Sequence, residues 1–249
     1  FEEVLDKLNI KEGTNIEVKK AKKPKSILYI KKKLNGWELN KEEIYTLVED
    51  LMHNELSDVE LTYFVSGCYS MNLTLQETIH LTNAIIDTGE RLKFKDKIIL
   101  DKHCIGGVAG NRTTMIVVPI IASLGYKMPK TSSRAITSAA GTADTMEVLA
   151  PVELTKSRIL KVIKKTNACI AWGGTVNLAA ADDKLIKIRH PLSIDPEGML
   201  LASILAKKKA AGATHVLIDI PYGQDAKVET KSQAKNLKKS FEKIAKHID

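Results

Sequence analysis

From about residue 97 onward, short apolar strands alternate with helices. Strands are predicted at 97–100, 127–129, 168–172 and 215–220, and helices at 112–124, 142–150, 155–166, 182–190, 196–210 and 230–247. Strands that alternate with helices are typical of domains in which helices cover a mostly parallel sheet. This part of the chain is therefore predicted to be an α/β domain with a mixed, mostly parallel sheet.

The stretch between residues 40 and 90 has a different pattern, in which three helices each begin with a capping box. In a capping box the cap side chain accepts a hydrogen bond from an early helix N–H, and an acid three residues later reaches back. The three pairs are Asn40 with Glu43, Ser57 with Glu60, and Thr74 with Glu77. In the first helix, Ile44, Leu47, Val48 and Leu51 fall on one face. Short loops between such helices predict a small helical domain.

Charge and cysteine content narrow the class of partner. The chain carries 38 Lys and Arg against 30 Asp and Glu, which favours anionic partners such as nucleic acid or a phosphorylated small molecule. Aromatic residues make up only 5%, few for a protein that stacks single-stranded bases.

No apolar run approaches the ~20 residues of a membrane span, so no membrane partner is expected. Three cysteines without CxxC spacing fit a reducing cytoplasm, and the absence of a starting Met predicts a fragment or processed chain.

The first segment that carries chemistry is 101–114, where a glycine turn lies between a predicted strand and a helix start. Gly106 and Gly107 allow backbone N–H groups to approach an anion, and the helix N-terminus adds positive potential. Lys102 adds a charge and Thr114 a hydroxyl. The segment is neither a Walker loop nor a dinucleotide fingerprint. Phosphate binding and a plain tight turn are both open on this segment alone.

The second segment, 131–147, combines Ser132, Ser133 and Arg134 with another Gly-Thr helix start at Thr142. Ser and Thr also cluster in loops and cap helices without binding anything, so Thr142 alone is compatible with a cap. Two glycine- and hydroxyl-rich helix starts together with Lys102 predict a site for more than one phosphate.

Together these two segments resemble the thymidine phosphorylase/AMP phosphorylase family. The motifs are Lys-His-x-x-Gly-Gly at 102–107, Ser-x-Arg followed by Gly-Thr-x-Asp-x-x-Glu within 132–147, and Ala-Ser-Ile-Leu-Ala-Lys-Lys at 202–208. The resemblance covers roughly residues 27–249. The family's C-terminal region is missing here, as is most of the N-terminal domain of its archaeal branch.

The resemblance implies a nucleoside phosphorylase/phosphoribosyltransferase-type fold with two domains and a cleft that closes to exclude water. A helical domain is expected at 30–90 and 181–209, and a phosphate-binding α/β domain at 91–180 and 210–249; residues 1–29 are expected to be a remnant of an N-terminal domain and a linker. The resemblance also implies that the protein is a cytoplasmic homo-oligomer, at least a dimer. Inorganic phosphate is expected as co-substrate, with no metal or organic cofactor, because cationic side chains and backbone N–H groups hold the phosphates.

Site residues follow from the family's motif positions. Phosphate is expected at Lys102, Cys104, Gly106, Thr114 and Ser132, although a thiol at 104 is a weak donor. The rest of the substrate is expected at Gly107, Ser133, Arg134, Ala135, Ile136, Thr137, Ser138, Thr142, Arg189, Ser203, Lys207 and Lys227.

Two residues are candidates for the acid that protonates the leaving base. Asp195 matches the family's proton donor, but an Asp before Pro196 is also a common helix cap. His103 lies in the first loop, and histidine titrates near neutrality. The other histidines show no ligand spacing and are expected to be structural or exposed: His53, His80, His190, His215 and His247.

Three features favour the archaeal branch of the family, which acts on nucleoside 5′-monophosphates. They are the sequence at 133–138, the lysine at 227, and Asp195 ahead of the substrate helix. The expected reaction is AMP and phosphate to adenine and ribose 1,5-bisphosphate. Phosphorolysis of thymidine or another pyrimidine nucleoside is the alternative. An anthranilate-type phosphoribosyltransferase and a non-catalytic nucleic-acid binder are more distant ones, and the aromatic-poor composition and the paired glycine loops disfavour the binder.

Overall fold

The computed structural model describes residue 5 and residues 8–19, 23–106, 112–134, 140–176 and 178–248. From Ser26 onward, the described residues begin with helices α1 (Ser26–Leu34), α2 (Lys41–Met52), α3 (Asp58–Met71) and α4 (Leu75–Thr88). The capping boxes predicted for α2, α3 and α4 are all present, and the predicted face of α2 is buried. The predicted fold class, a helical domain with an α/β domain, is confirmed.

The structure corrects the prediction for residues 26–29. The sequence pattern predicts a linker there, whereas the structure has the first turn of helix α1. Two of its buried residues, Ser26 and Lys33, are polar, so the segment lacks a clear apolar face in the sequence. Both are paired within the helices: Ser26 donates to Asp50 at 2.6 Å, and the Lys33 ammonium lies 2.8 Å from the Glu77 carboxylate.

In the part of the chain that the structure describes, four strands and six further helices follow. They are β1 (Leu100–Cys104), α5 (Thr113–Ser123), β2 (Met128–Ser132), α6 (Thr142–Glu147), α7 (Lys156–Thr166), β3 (Ala168–Trp172), α8 (Ala180–Arg189), α9 (Glu197–Ala210), β4 (His215–Asp219) and α10 (Lys231–Ala245). Short 3₁₀ turns occupy Gly173–Val176 and His190–Leu192. Within the described ranges, no helix is both long enough and apolar enough to cross a lipid bilayer.

The first two strands lie further along the chain than predicted. The strand expected at 97–100 begins at Leu100, and the strand expected at 127–129 continues to Ser132. Both errors have one cause: the strands contain buried charged residues, Asp101, Lys102 and Lys130, that an apolar pattern does not include. The helix expected at 142–150 ends at Glu147.

The strands form two parallel pairs. In the first, β1 pairs with β4 and Cys104 stands opposite Asp219; in the second, β2 pairs with β3 and Ser132 stands opposite Trp172. A parallel bridge between Ile99 and Lys127 connects the pairs, and Leu100 N–H donates to the Lys127 carbonyl at 2.9 Å. Every described strand pair is parallel, so the antiparallel component of the expected mixed sheet is absent from the described residues. The carboxyl ends of all four strands therefore lie at one edge.

The chain returns to the first four helices after β3. Helices α8 and α9 bury residues in the same core as α1–α4, among them Ala181, Leu185, Met199, Ala202 and Ala206. We call α1–α4, α8 and α9 the helical unit, and the strands with α5, α6, α7 and α10 the sheet unit. Gly198 allows α9 to lie close to α4, because a Cβ there would stand 2.7 Å from both Leu73 Cβ and Thr78 Oγ1.

Candidate active site

A cavity of about 910 Å³ lies between the carboxyl edge of the sheet and helices α8 and α9. Open α/β sheets generally bind their ligands at this edge. Predicted site residues that line it are His103, Cys104, Gly106, Thr114, Ser132, Ser133, Arg134, Thr142, Arg189, Asp195, Ser203, Lys207 and Lys227. Five others, Gly107, Ala135, Ile136, Thr137 and Ser138, lie outside the described residues.

Hydroxyl-bearing residues line the sheet side of the cavity, and three of them were predicted to contact phosphate or substrate at a strand end or a helix start. Thr114 lies in the first turn of α5, Ser132 ends β2, and Thr142 begins α6. The chain turns out of β1 through Gly106, whose φ of 97° is in the left-handed region that favours glycine. Hydroxyls and helix N-termini are suited to binding an anion.

Lys102 does not line this cavity. Alternation along β1 places Asp101 and His103 on one face and Lys102 on the other. Its buried ammonium lies 3.1 Å from a carboxylate oxygen of Asp219 on β4. Within the described residues the Lys102 ammonium has this ion pair and no hydrogen-bond partner, and its contact with phosphate stays a prediction.

His103 lines the cavity, but its surroundings contradict titration near neutrality. Burial, followed by the charges of Lys208, Lys130, Lys207 and Lys102, holds the pKa of His103 well below its ordinary value. The imidazole is therefore neutral at pH 7 and does not supply a proton as a cation. Burial likewise raises the pKa of the neighbouring Cys104 thiol, which stays protonated.

Asp195, which lies ahead of α9, contacts side chains from two other parts of the chain. One carboxylate oxygen accepts from Arg189 Nη1 at 2.8 Å, at the end of α8, and the other is in contact with Lys227 Nζ, beyond β4. The capping alternative is not supported, since α9 has Pro196 at its cap position and no side-chain cap hydrogen bond. The predicted acid Asp195 and Lys227, a predicted substrate-binding residue, are direct partners.

A second carboxylate, which the sequence analysis does not identify, contacts three residues that are predicted to bind substrate. Buried Asp182 on α8 accepts from Ser203 Oγ at 2.6 Å and lies 2.8 Å from Lys207 Nζ and 3.5 Å from Arg189 Nη2. Lys207 Nζ also lies 3.1 Å from Asp183. The one available signal was the adjacent pair Asp182-Asp183 near the start of α8, but its partners come from α9.

The charges in this group depend on one another. Burial alone lowers the pKa of Lys207, but Asp182 and Asp183 outweigh it and hold that pKa above its ordinary value. Burial raises the pKa of Asp183, which borders the cavity. Lys207 is therefore a fixed cation whose position is set by two carboxylates.

Arg134 is already engaged by protein groups. Its guanidinium lies 3.1 Å from Asp144, 2.6 Å from Glu147 and 2.9 Å from Glu153, and it stacks over Trp172 at 4.8 Å from the ring centroid. These contacts connect the end of β2 to α6 and β3. For Arg134 to contact substrate, its guanidinium must therefore bind substrate together with these three carboxylates or give up one of them.

Four further lysines, Lys130, Lys184, Lys187 and Lys208, line the cavity and were not predicted as site residues, and Lys130 and Lys208 are the buried ones. Lys130 is on β2, and Lys208 belongs to the run 207–209, for which a solvated face was the alternative. That alternative is wrong for Lys208, whose side chain is 3% exposed. Of the remaining histidines, His190 is exposed and borders the cavity, His53, His215 and His247 are exposed, and His80 is half-buried.

Comparison with family models divides the chain as the architecture does. Residues 28–89 match the helical bundle domain of a glycosyl transferase family, and residues 96–240 match the a/b domain of that family.

Individual relatives agree with the resemblance indicated by the two loop motifs and confirm it. An AMP phosphorylase from Thermofilum pendens is 50% identical over 239 residues, which are 96% of this chain and 46% of that protein. A putative thymidine phosphorylase from Legionella pneumophila (strain Corby) is 48% identical over 98% of this chain and 47% of that protein. An AMP phosphorylase from Thermococcus kodakarensis is 47% identical over 99% and 49% respectively. The chain spans about half the length of the curated relatives it matches.

A solved structure of low sequence identity has the same fold. Anthranilate phosphoribosyltransferase from Thermus thermophilus superposes with a TM-score of 0.70 at 20% identity, covering 87% of this chain and 63% of that one.

Proposed function

Since the chain belongs to the glycosyl transferase family whose helical bundle and a/b domains it contains, we propose that it forms the catalytic site of a nucleoside 5′-monophosphate phosphorylase. The proposed reaction is AMP and phosphate to adenine and ribose 1,5-bisphosphate. Relatives named AMP phosphorylase, at 45–50% identity, support this choice.

The observation that carries the proposal is the contact of Lys227 with Asp195 in the cavity. A nucleotide brings a 5′-phosphate in addition to the attacking phosphate, and a second dianion demands an additional cation. Lys227 lines the same cavity as Thr114, Ser132 and Thr142, and we assign it as the cation for the 5′-phosphate. Its contact with the acid candidate Asp195 supports the assignment of both groups to one ribose.

In the proposed mechanism, an oxygen of inorganic phosphate forms a bond to C1′ while the bond from C1′ to the base nitrogen breaks. The electron pair of that bond goes to the base, and a proton supplied to the base, at N7 for adenine, stabilises the leaving group. We assign the proton to Asp195. The 5′-phosphate gives Lys227 a dianionic partner in place of the Asp195 carboxylate, and it places negative charge nearby, which favours a protonated acid.

The base is proposed to lie against Arg189, Ser203 and Lys207. These three side chains are fixed by Asp182, and fixed donors lose little rotamer freedom when they bind a ligand. The helical unit would then close on the sheet unit and exclude water, which competes with phosphate as the nucleophile.

Phosphorolysis of nucleosides is the second candidate, because relatives of 48% identity are named putative thymidine phosphorylase. The two candidates differ in whether a 5′-phosphate is recognised. Incubating the full-length protein with phosphate and either AMP, adenosine or thymidine, and identifying the sugar product, separates them. Ribose 1,5-bisphosphate from AMP supports the first candidate, and a deoxyribose 1-phosphate from thymidine supports the second.

Lys227→Ala tests the lysine itself. If Lys227 binds the 5′-phosphate, kcat/KM should fall far more for AMP than for adenosine, and the ratio between them should drop at least about tenfold, which corresponds to about 1.4 kcal/mol. Lys235→Ala, at an exposed position on α10, is the matched control and should leave the ratio unchanged. An equal loss on both substrates contradicts the assignment.

A further inference from the structure

Behind the hydroxyls of the cavity, two lysines from different units share one buried carboxylate. The Lys208 ammonium, on α9, lies 2.9 Å from Asp101 Oδ2, and the Lys130 ammonium, on β2, lies 3.9 Å from Asp101 Oδ1. All three side chains are 5% exposed or less. Asp101 is held in place by the N–H of Lys102, which donates to it at 2.7 Å.

Both ammonium groups also converge on one backbone carbonyl. Lys130 donates to the Thr131 carbonyl oxygen at 2.6 Å and Lys208 at 3.3 Å. Thr131 directly precedes Ser132, one of the predicted phosphate ligands. The lysines thereby fix the end of β2 at the point where it meets the cavity.

The group carries more positive than negative charge. Asp101 is the one described carboxylate in ion-pair contact with either ammonium, and the nearby Lys102 is paired with Asp219 instead. The other charged group that acts on Lys130 is Lys102, and Lys130 in turn acts on His103 on β1, which burial and the nearby lysines keep neutral. Burying a cation without its own counter-ion is costly.

The excess charge has a direct consequence for protonation. Burial, and then the charge of Lys208, lowers the pKa of Lys130 to about 7, although Asp101 acts in the opposite direction. Near neutral pH, Lys130 therefore exists in both protonation states.

Both lysines face the cavity beside Thr114, Ser132 and Thr142. We propose that Lys130 and Lys208, positioned by Asp101, are a pair of buried counter-cations for an inorganic phosphate bound at these hydroxyls. The inference rests on the proposed function for the identity of the anion. A dianion beside Lys130 stabilises its charged form, so phosphate binding draws a proton onto Lys130 from solvent.

The test is phosphate binding to the full-length protein, measured by calorimetry at pH 8 without nucleotide in two buffers of different ionisation enthalpy. For each phosphate bound, the wild type should take up about half a proton or more beyond the uptake of Lys130→Met. Linkage requires this difference of a group that gains a proton in the complex. The dissociation constant for phosphate should rise at least about tenfold in the variant. Lys164→Met, at an exposed position on α7, is the matched control and should behave as the wild type.

Lys208→Met gives a second, independent result. Removing the like charge lets Lys130 keep its proton before phosphate binds, so proton uptake should fall although Lys130 is intact. A merely structural role for the cluster would not change proton uptake in this way. Unchanged proton uptake in both methionine variants overturns the inference.

Failure of the inference and failure of the proposed function give different results. Phosphate binding is measured here without turnover. If both variants bind phosphate normally and the protein still converts AMP, only the role of the lysines is refuted. A protein that binds phosphate with proton uptake through Lys130 but releases no base from AMP refutes only the proposed substrate.

Discussion

The two oxygens of the Asp195 carboxylate have different cationic partners, Arg189 and Lys227. Each partner also has a proposed role toward substrate, Arg189 at the base and Lys227 at the 5′-phosphate. A change at Asp195 therefore alters proton transfer and also the cations beside it. At the scale of a residue, the proposed function depends on whether Arg189 and Lys227 contact the Asp195 carboxylate or the substrate.

Asp195→Asn separates the acid from a structural acceptor. An amide keeps the shape and one oxygen acceptor but cannot deliver the proton, so kcat for AMP should fall by roughly 10²–10⁴-fold. The melting temperature should stay close to that of the wild type. Asp225→Asn is the control, because Asp225 is exposed and its φ of 66° is tolerated by Asn. A kcat within a few-fold of wild type would remove Asp195 from catalysis.

Lys130 also makes stability depend on pH. Its folded-state pKa of about 7 is below the ordinary value of 10.5, so between these values the unfolded chain binds more protons than the folded one. Stability therefore rises with pH in this window, by about 1–2 kcal/mol between pH 7 and 8.5. Urea denaturation of the wild type and Lys130→Met at both pH values measures this: the rise should be smaller in the variant. The same rise in both proteins would contradict it.

At the scale of elements, the sequence reveals interactions between residues that are close in the chain, but not interactions between residues that are far apart in it. The capping boxes of α2, α3 and α4 lie within four residues, and all three helices were predicted. The polar parts of β1 and β2 were missed, because Asp101 and Lys130 are buried through partners more than 25 positions away. Sequence patterns thus missed the polar parts of two strands that border the cavity, because charged side chains are buried there.

The contact of α9 with α4 is sensitive to one methyl group. Gly198→Ala should improve the helix propensity of α9 by about 1 kcal/mol, but the new Cβ has no room beside Leu73 and Thr78. Overpacking typically costs about 1–3 kcal/mol, so we expect a net loss of stability. A shifted α9 should also raise KM for AMP, since it carries Ser203 and Lys207. Urea denaturation and steady-state kinetics check both, and a more stable variant would refute the tight contact.

At the scale of the whole molecule, the site is built where the two units meet. Motif positions located both walls of the cavity, because Thr114, Ser132 and Thr142 on one side and Ser203 and Lys207 on the other all line it. The carboxylates that hold these walls, Asp101 and Asp182, could not be found in this way. Their partners lie on other elements, and the sequence does not state which strand and helix become neighbours.

The helical unit is made of two stretches of chain separated by the first three strands. Helix α4 ends at Thr88, and α9, which packs on it, is complete only at Ala210, roughly 120 residues later. At a synthesis rate of about 5–20 residues per second, a ribosome takes on the order of 6–24 s to cover that distance. During that interval the face of α4 that α9 will cover is open on the nascent chain. The core of the helical unit is therefore completed only after three strands of the sheet unit have been synthesised, and chaperones that shield apolar helix faces have a defined period in which to act.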